Sequence, residues 1–582
     1  MDRERLASAL EECGLLLELK GENPFKTRAY ANAGRIVRAL EVEPAEWIES
    51  GDMPKTKGIG KALAEKIETL VGTGELPYLE DLRLEVPEGL REWLKIPGLG
   101  PKKARAIHLA LEISTLGELE YACKENRLRD LEGFGKTSQA KILRGIERVR
   151  SHAGRFLQSV ALEEAERLRT LLAAIEGVRR VEIAGSVRRR METSKDIDLV
   201  VVAESPEAAM DAFAGDESVH EVTGRGDTKC SVVLKSGPSA DLRVVSEAAF
   251  PFTLMYFTGS KDHNVAIRAR AQSMRLKLNE YALEPVDGGD PPVCGDEAAI
   301  YAALGLAWIP PELREDRGEI ELAEANTLPA LLEIGDLRGV LHCHSSWSDG
   351  SATIEEMAEA ARERGWSYLG LCDHSQAAAY AGGLDPARVI EQHVAIDELN
   401  ARFAGEFTVL KGIEVDVLAD GALDFDDETM ARFDLVVASI HSRFGLPRDE
   451  QTKRLRRAVA SPWVDVVGHP TGRLLLARDG YAIDLRAVLS AAVEHGVAVE
   501  VNAHPRRLDL DWRELAWGLP RGLVTSINPD AHRPEGLDDV RYGVGTARKA
   551  GVTPDRVLNA WPLARLQEWL GERKARAAAT AT

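Results

Sequence analysis

Two carboxylates one residue apart open an apolar run: Asp196-Ile197-Asp198, then Leu199-Val200-Val201-Val202. In a strand, residues i and i+2 face one side, so the two carboxylates project together. Such a pair can hold two Mg²⁺ ions about 3.5–4 Å apart, the arrangement for in-line transfer of a phosphate to a hydroxyl. Upstream, Gly185-Ser186 predicts a turn able to hydrogen-bond terminal phosphates, and Arg189 can neutralise them. A third carboxylate is needed on a neighbouring strand, and Asp241 in Ala240-Asp241-Leu242-Arg243-Val244 fits. A lone Asp-x-Asp is common in surface turns. The conjunction of Gly-Ser, the paired Asp and a buried run points to nucleotidyl transfer.

A second set of reactive residues follows a rule after residue 336: apolar runs end in His, Asp or Glu. Val340-Leu341 leads to His342-Cys343-His344, with Asp349 close behind. The run 368–372 leads to Asp373-His374, 409–413 to Glu414, 435–440 to His441, and 464–468 to His469. The run 497–501 leads to Asn502, and 524–529 to Asp530-Ala531-His532. Seven such strands with helical segments between them predict an α/β, TIM-like (β/α)7 barrel whose strand ends share one mouth. Imidazoles and carboxylates converging without Cys suit Mn²⁺, Zn²⁺ or Fe²⁺. Such a site would activate water against a phosphoester. His393 and His495 read as helix-surface residues. His504, beside Arg506 and Arg507, reads as a substrate contact near the mouth.

The N-terminal region must position these centres on something. Residues 1–150 read as short helices between Gly and Pro breaks. A pattern repeats three times: Gly58-Ile59-Gly60, Gly98-Leu99-Gly100 and Gly133-Phe134-Gly135, each before a polar helical segment. Glycine permits a tight turn and lets helix N-terminal N–H groups approach a phosphate. Such helix-hairpin-helix units hold a DNA backbone without reading sequence. The strongest copy continues into Pro101-Lys102-Lys103. Residues 156–315 mix helix with strand-like runs at 181–184, 197–203 and 230–234.

The 582-residue chain carries a net charge of −20 and is 44% hydrophobic, enough for several packed domains. The acidity is uneven: residues 1–310 carry −7 and residues 311–582 carry −13, while residues 101–150 carry +4. The six Cys form no CxxC pair, which argues against a disulfide framework or a cysteine zinc site. Met1-Asp2-Arg3-Glu4 lacks a signal-peptide pattern and no apolar run is long enough for a membrane span. The expected setting is the cytoplasm.

The segment from Gly185 to Asp198, Asp241, and the string Tyr256-Phe257-Thr258-Gly259-Ser260-Lys261-Asp262-His263-Asn264 together resemble the bacterial family X DNA polymerases, relatives of DNA polymerase beta. The resemblance implies Mg²⁺ or Mn²⁺ at Asp196, Asp198 and Asp241, and triphosphate contacts from Ser186 and Arg189. It implies a sugar-side segment of Tyr256, Phe257 and Gly259, a base contact from Asn264, and a template contact from Arg268. Relatives often carry an Arg two residues before the third Asp, where this chain has Ser239. In eukaryotic relatives a Lys acts as Schiff-base nucleophile of a 5′-deoxyribose-phosphate lyase. Lys66 matches it, with Tyr30 and Lys26 matching neighbours, but a second lysine is replaced by Ala62.

The C-terminal half resembles the polymerase-and-histidinol-phosphatase (PHP) domain. That resemblance implies a ligand set of His342, His344, Asp349, His374, Glu414, His441, His469, Asp530 and His532, for three ions. It implies Mn²⁺-dependent 3′→5′ exonuclease, abasic-site endonuclease and 3′-phosphate removal.

The division expected is a helical 8-kDa-like region (1–85), fingers (86–155), a nucleotidyltransferase palm (156–258), a thumb (259–315), a linker (316–335) and the barrel (336–572). The partners implied are gapped or nicked double-stranded DNA and dNTPs, with the protein monomeric. A competing reading makes residues 1–315 a gap-binding module that delivers the nuclease and catalyses little. Another makes the barrel a small-molecule phosphatase.

Overall fold

The computed structural model describes residues 3–580, apart from Ala39, Glu41, Asp52, Pro54, Lys55, Glu75, Glu125, Asn126, Glu132 and Ala153. Met1 and Asp2 of the N-terminal motif therefore lie outside the described residues. The chain divides into two compact units, residues 1–153 and 154–582.

The first unit is helical. Leu6, Leu10, Leu16 and Leu17 of helix Arg3–Lys20 are fully buried in a core that runs on through Trp93 and Ile107 to Val149. Residues 1–85 and 86–155, expected as two domains, thus share one continuous apolar core.

The second unit begins with a five-stranded sheet: β1 Val178–Ile183, β2 Asp196–Ala203, β3 Val219–Arg225, β4 Lys229–Leu234 and β5 Ser239–Val244, in the order β1-β2-β5-β4-β3. Only β2 and β5 run parallel. Side chains of β2 alternate between two cores. Ile197, Leu199 and Val201 meet helices Gln158–Ala173 and Pro206–Ala214; Val200 and Val202 meet Phe250 and Leu254 of helix Phe250–Thr258. By the period of two, Asp196 and Asp198 lie on the Val200 side, toward that helix.

A small core follows, built on Phe252, Ile267, Ile300 and Tyr301. Arg188, from the turn before β2, is tied to it: Arg188 and the fully buried Arg314 both donate to Glu297 at 2.6 Å. Burial alone would raise the Glu297 carboxyl, but the two guanidiniums outweigh it and hold it at about 2. Glu297→Gln leaves two cations short of a buried partner, a loss of about 3–5 kcal/mol at neutral pH. Because the folded carboxyl sits below its unfolded value of 4.5, this stabilisation is complete above that pH and fades as pH falls toward about 2. Urea unfolding of both proteins should show a gap that narrows on acidification below pH 4.5; a gap constant with pH would refute the assignment.

Residues 316–335, expected as a linker with a short helical piece, contain helix Glu319–Glu324. Ala323 is buried in the preceding core and Leu332 in the barrel core, so this segment is anchored at two points and otherwise largely exposed.

The barrel has seven parallel strands in sequential order: β6 Gly339–Cys343, β7 Tyr368–Leu371, β8 Thr408–Asp416, β9 Leu435–Ser439, β10 Val466–Val467, β11 Ala498–Asn502 and β12 Thr525–Asn528. A parallel bridge between Cys343 and Ala531 joins its ends. The strands are buried on both faces, as a closed barrel ringed by helices requires. A loop and a helix of the barrel also reach the five-stranded sheet, since Leu508 and Tyr542 are part of that sheet's core.

Candidate active sites

The turn and strand of the first centre lock together. Gly185 has φ +64, and a Cβ there would lie 2.2 Å from Asp198 Oδ2, so only glycine lets the turn close on that carboxylate. Asp198 pairs directly with Asp241 across the parallel β2–β5 ladder. Burial, then the charges of Asp196 and Asp241, push the Asp198 carboxyl up to about 7. Three carboxylates gathered this way repel one another unless cations neutralise them, which suits divalent ions. Asp241 also accepts from Ser231 Oγ at 2.6 Å and pairs with Lys229 Nζ at 2.8 Å. Both partners lie on β4, so the cation absent at Ser239 on β5 is supplied by the neighbouring strand.

The other residues expected at the nucleotide site are tied down. Ser186 Oγ lies 2.9 Å from Ser194 Oγ. Tyr256 and Phe257 end helix Phe250–Thr258, with rings edge-to-face at 5.2 Å and the Arg243 guanidinium 4.0 Å over Phe257. Asn264 donates to the Tyr256 carbonyl at 2.7 Å, and Arg268 to the Asn264 carbonyl at 3.2 Å. Arg189 is not free for phosphate alone: its Nε meets Glu315 at 3.0 Å and its Nη1 donates to the Thr258 carbonyl. Glu315 in turn holds Lys549, a buried lysine on barrel helix Val540–Lys549 that also donates to the Arg189 carbonyl at 3.2 Å. Burial pushes the Lys549 ammonium down to about 8.

The strand-end residues of the barrel converge into three groups whose ligand atoms lie within 4.8 Å of one another: His344, Asp349, His374 and His532; His342, His344 and Asp530; His374, Glu414 and His441. His344 and His374 each serve two groups. His469 is outside these groups, and its Nε2 meets Glu414 at 2.9 Å. The donors fit a metal. His342 Nε2, His344 Nδ1 and His469 Nδ1 are buried without a hydrogen-bond partner, which a bound cation would satisfy. Glu414 and Asp530 are held well below the usual carboxylate range: burial opposes this, but His441 and His342 respectively, with their neighbours, prevail. Burial and the charge of His532 push His344 down to about 3, leaving it a neutral donor. Asp530 (φ 54) and His469 (φ 24) sit in the left-handed region, strain of the kind functional sites retain.

Several buried polar residues outside the expected ligand set hold it in place. Glu500 on β11 is fully buried and accepts from His342 Nδ1 at 2.8 Å, His469 N at 2.8 Å and Asn528 Nδ2 at 3.0 Å. Asp373 is a similar hub, accepting from Ser345, Ser348 and Gln392 beneath the loop that carries Asp349. Asn502 donates to Asp530 at 3.0 Å. A polar residue inside an apolar strand was the available signal for Glu500, but it cannot say which histidine it holds. Glu500→Gln should lower barrel hydrolysis and metal affinity together by about 10–100-fold, as loss of a group orienting a ligand does. Equilibrium metal titration beside rate measurements tests this; unchanged affinity would make Glu500 a packing residue. His393, expected at the surface, is buried edge-on to Phe433 because its helix turns that face to the core, while His495 is exposed. His504 is half-buried beside Asn502, with Arg507 Nε 3.6 Å from Asp530.

In the first unit, Gly58, Gly98 and Gly133 all have positive φ, and Gly60 and Gly100 are N-caps with no side-chain cap. Lys102 is exposed on the first turn of helix Pro101–Leu111, and Gly135 directly precedes helix Lys136–His152. Lys66 lies 4.7 Å over the Tyr78 ring, with Lys26 at 5.8 Å and Tyr30 stacked on the same ring at 6.0 Å. Tyr78, which the sequence reading did not select, is the centre of that cluster.

A palm-like sheet with three clustered Asp, joined to a barrel with converging His and carboxylates, defines a nucleotidyltransferase coupled to a metal-dependent hydrolase. Comparison agrees. The helix-hairpin-helix domain matches residues 1–76, the SAM-like helix-hairpin-helix tandem 90–148, the DNA polymerase beta thumb 253–315 and the PHP domain 341–504. Bacillus subtilis (strain 168) DNA polymerase/3′-5′ exonuclease PolX is 39% identical over 572 residues, 98% of this chain and 99% of that protein. A probable phosphatase of Thermoanaerobacter sp. (strain X514) is 27% identical over 40% of this chain and 94% of its own length. One from Vibrio parahaemolyticus is 29% identical over 37% of this chain and 87% of its own. The chain belongs to the family X DNA polymerases that carry a C-terminal PHP domain. Among the described residues no helix is long and apolar enough to cross a membrane.

Proposed function

We propose that this protein is a DNA-directed DNA polymerase that fills short gaps during repair, and that its barrel is a metal-dependent 3′→5′ exonuclease, abasic-site endonuclease and 3′-phosphoesterase. The observation that carries this reading is the pairing of Asp198 with Asp241 beside Gly185, in one compact unit with the three barrel ligand groups. Asp196, Asp198 and Asp241 would hold Mg²⁺ or Mn²⁺, and the nine barrel residues Mn²⁺, Zn²⁺ or Fe²⁺, three ions in all. Bound there, such ions lower the pKa of water and neutralise developing phosphate charge. Ser186 and Arg189 bind the incoming triphosphate, Tyr256, Phe257 and Gly259 lie beside its sugar, Asn264 touches its base, and Arg268 reaches the template strand. The glycine hairpins hold the backbone of gapped or nicked DNA. Lys66 against Tyr78 is the candidate lyase nucleophile, tested by borohydride trapping on 5′-deoxyribose-phosphate DNA in Lys66→Ala. The protein acts as a monomer in the cytoplasm, at the nucleoid. The motive for a non-catalytic, gap-binding reading was Ser239, and the Lys229 partner of Asp241 weakens it.

The test is a 5′-labelled primer on one-nucleotide-gapped DNA with Mn²⁺, with and without dNTPs. Extension by one nucleotide with dNTPs, and shortening without them, is the expected outcome. Shortening without any extension would leave a DNA-guided nuclease. A finer expectation concerns Lys549. Lys549→Met removes the ammonium that holds Glu315 and the Arg189 carbonyl. The KM for dNTP should rise about tenfold, the scale of one charged hydrogen bond, with 3′ shortening unchanged. Equal loss in both reactions would mean that the substitution disturbs folding instead.

A further inference from the structure

Three successive loops on the metal-bearing rim carry arginines. Arg443 follows β9, Arg478 follows β10, and Arg506 and Arg507 follow β11. Among the described residues, Arg443, Arg478 and Arg506 have no carboxylate partner, and Arg507 approaches only the ligand Asp530, at 3.6 Å. Away from that rim, several arginines are neutralised: Arg432 by Glu428, Arg448 by Asp484, Arg457 by Asp420 and Arg486 by Glu514. Unpaired cations gathered at one rim of a half-chain carrying −13 are a local reversal of charge. They also repel one another: burial, then the charge of Arg507, depresses the Arg478 guanidinium. Aromatic rings are interleaved with them. Arg478 lies 4.6 Å over Phe444, and Phe444 stacks on Tyr481 at 6.0 Å and 12°. The same loops send Leu475 and Leu508 into the core of the palm sheet, so the cluster is held on the palm side of the barrel.

We propose that Arg443, Arg478, Arg506 and Arg507, with Phe444 and Tyr481, form a surface for single-stranded DNA that delivers a 3′ terminus to the barrel ligands. This rests on the DNA-hydrolysing reading of the barrel and deepens it. Arginines carried on three loops can each take a phosphate of an extended strand, and the Arg478 guanidinium laid over Phe444 offers a plane for bases regardless of sequence. A small phosphate monoester has one anionic group and needs only what lies beside the ligands, which is Arg507.

The test uses the full-length protein with Mn²⁺ and two substrates: a 5′-labelled oligothymidylate and bis(p-nitrophenyl) phosphate. Arg443 and Arg506 are exposed, so the double variant Arg443→Ala/Arg506→Ala retains its packing. Its KM for the oligonucleotide should rise about tenfold or more with kcat little changed. The slope of log KM against log salt should flatten by roughly 0.7 for each arginine removed. Hydrolysis of the small ester should stay within about twofold, and Arg443→Lys/Arg506→Lys should recover most of the affinity. An unchanged KM and salt slope, or equal loss on both substrates, overturns the proposal while the DNA-hydrolysing reading stands. A wild-type protein that hydrolyses the small ester and leaves DNA intact overturns both.

Discussion

Asp198→Asn should lower primer extension by on the order of 10³-fold or more, the scale on which transferases depend on one charge-stabilising group. Asp198 is the most constrained carboxylate of the palm. It is paired with Asp241 in register, closed over by Gly185 and raised by burial and by its two neighbours. Asparagine keeps the shape and removes the charge, so the turn and strand survive. DNA binding to gapped substrate and 3′ shortening should therefore persist at wild-type levels. Thermal unfolding should show little loss, because the change relieves repulsion among three acids. Single-turnover extension with the variant decides it. Extension within about tenfold of wild type would remove Asp198 from the chemistry and reopen the gap-binding reading.

His344→Ala should have the converse effect: 3′ shortening falls by on the order of 10³-fold or more, and extension is retained. His344 serves two of the three ligand groups and is completely buried, so its loss affects more than one ion. Its Nε2 meets Asp530 at 3.1 Å, and without it that carboxylate is left with fewer partners. A stability loss should accompany the activity loss. Metal analysis of the purified variant separates the two effects, and a decrease in bound metal per chain is the expected result. Chelation of the wild type should likewise abolish shortening and lower its melting temperature, with Mn²⁺ restoring both. A variant that keeps its metal and its shortening activity would show that His344 is structural.

Both centres were legible in the sequence because their signals are local. A two-residue period puts Asp196 and Asp198 on one face whatever lies around them. Strands that each end in a His, Asp or Glu announce a barrel mouth before any strand is paired. The three glycine pairs required turns with positive φ, and those turns are present. Illegible residues were those whose partners are distant. Glu500 lies 158 positions from His342, which it orients, and Lys549 lies 234 from Glu315. Nothing near Ser239 reveals that Lys229, one strand away, supplies the missing cation. His393 was misjudged as surface because a helix face is buried or exposed by what packs on it.

By itself, then, the sequence determined which residue types could do chemistry, the periods that align them, and the seven-strand alternation that brings one set together. Those follow from the covalent geometry of strand and turn. Only the tertiary structure decided how the candidate ligands group, which buried carboxylates orient them, and that a barrel lysine is tied through Glu315 to Arg189. Such contacts join segments that meet only when cores close, and no local pattern encodes a partner hundreds of residues away.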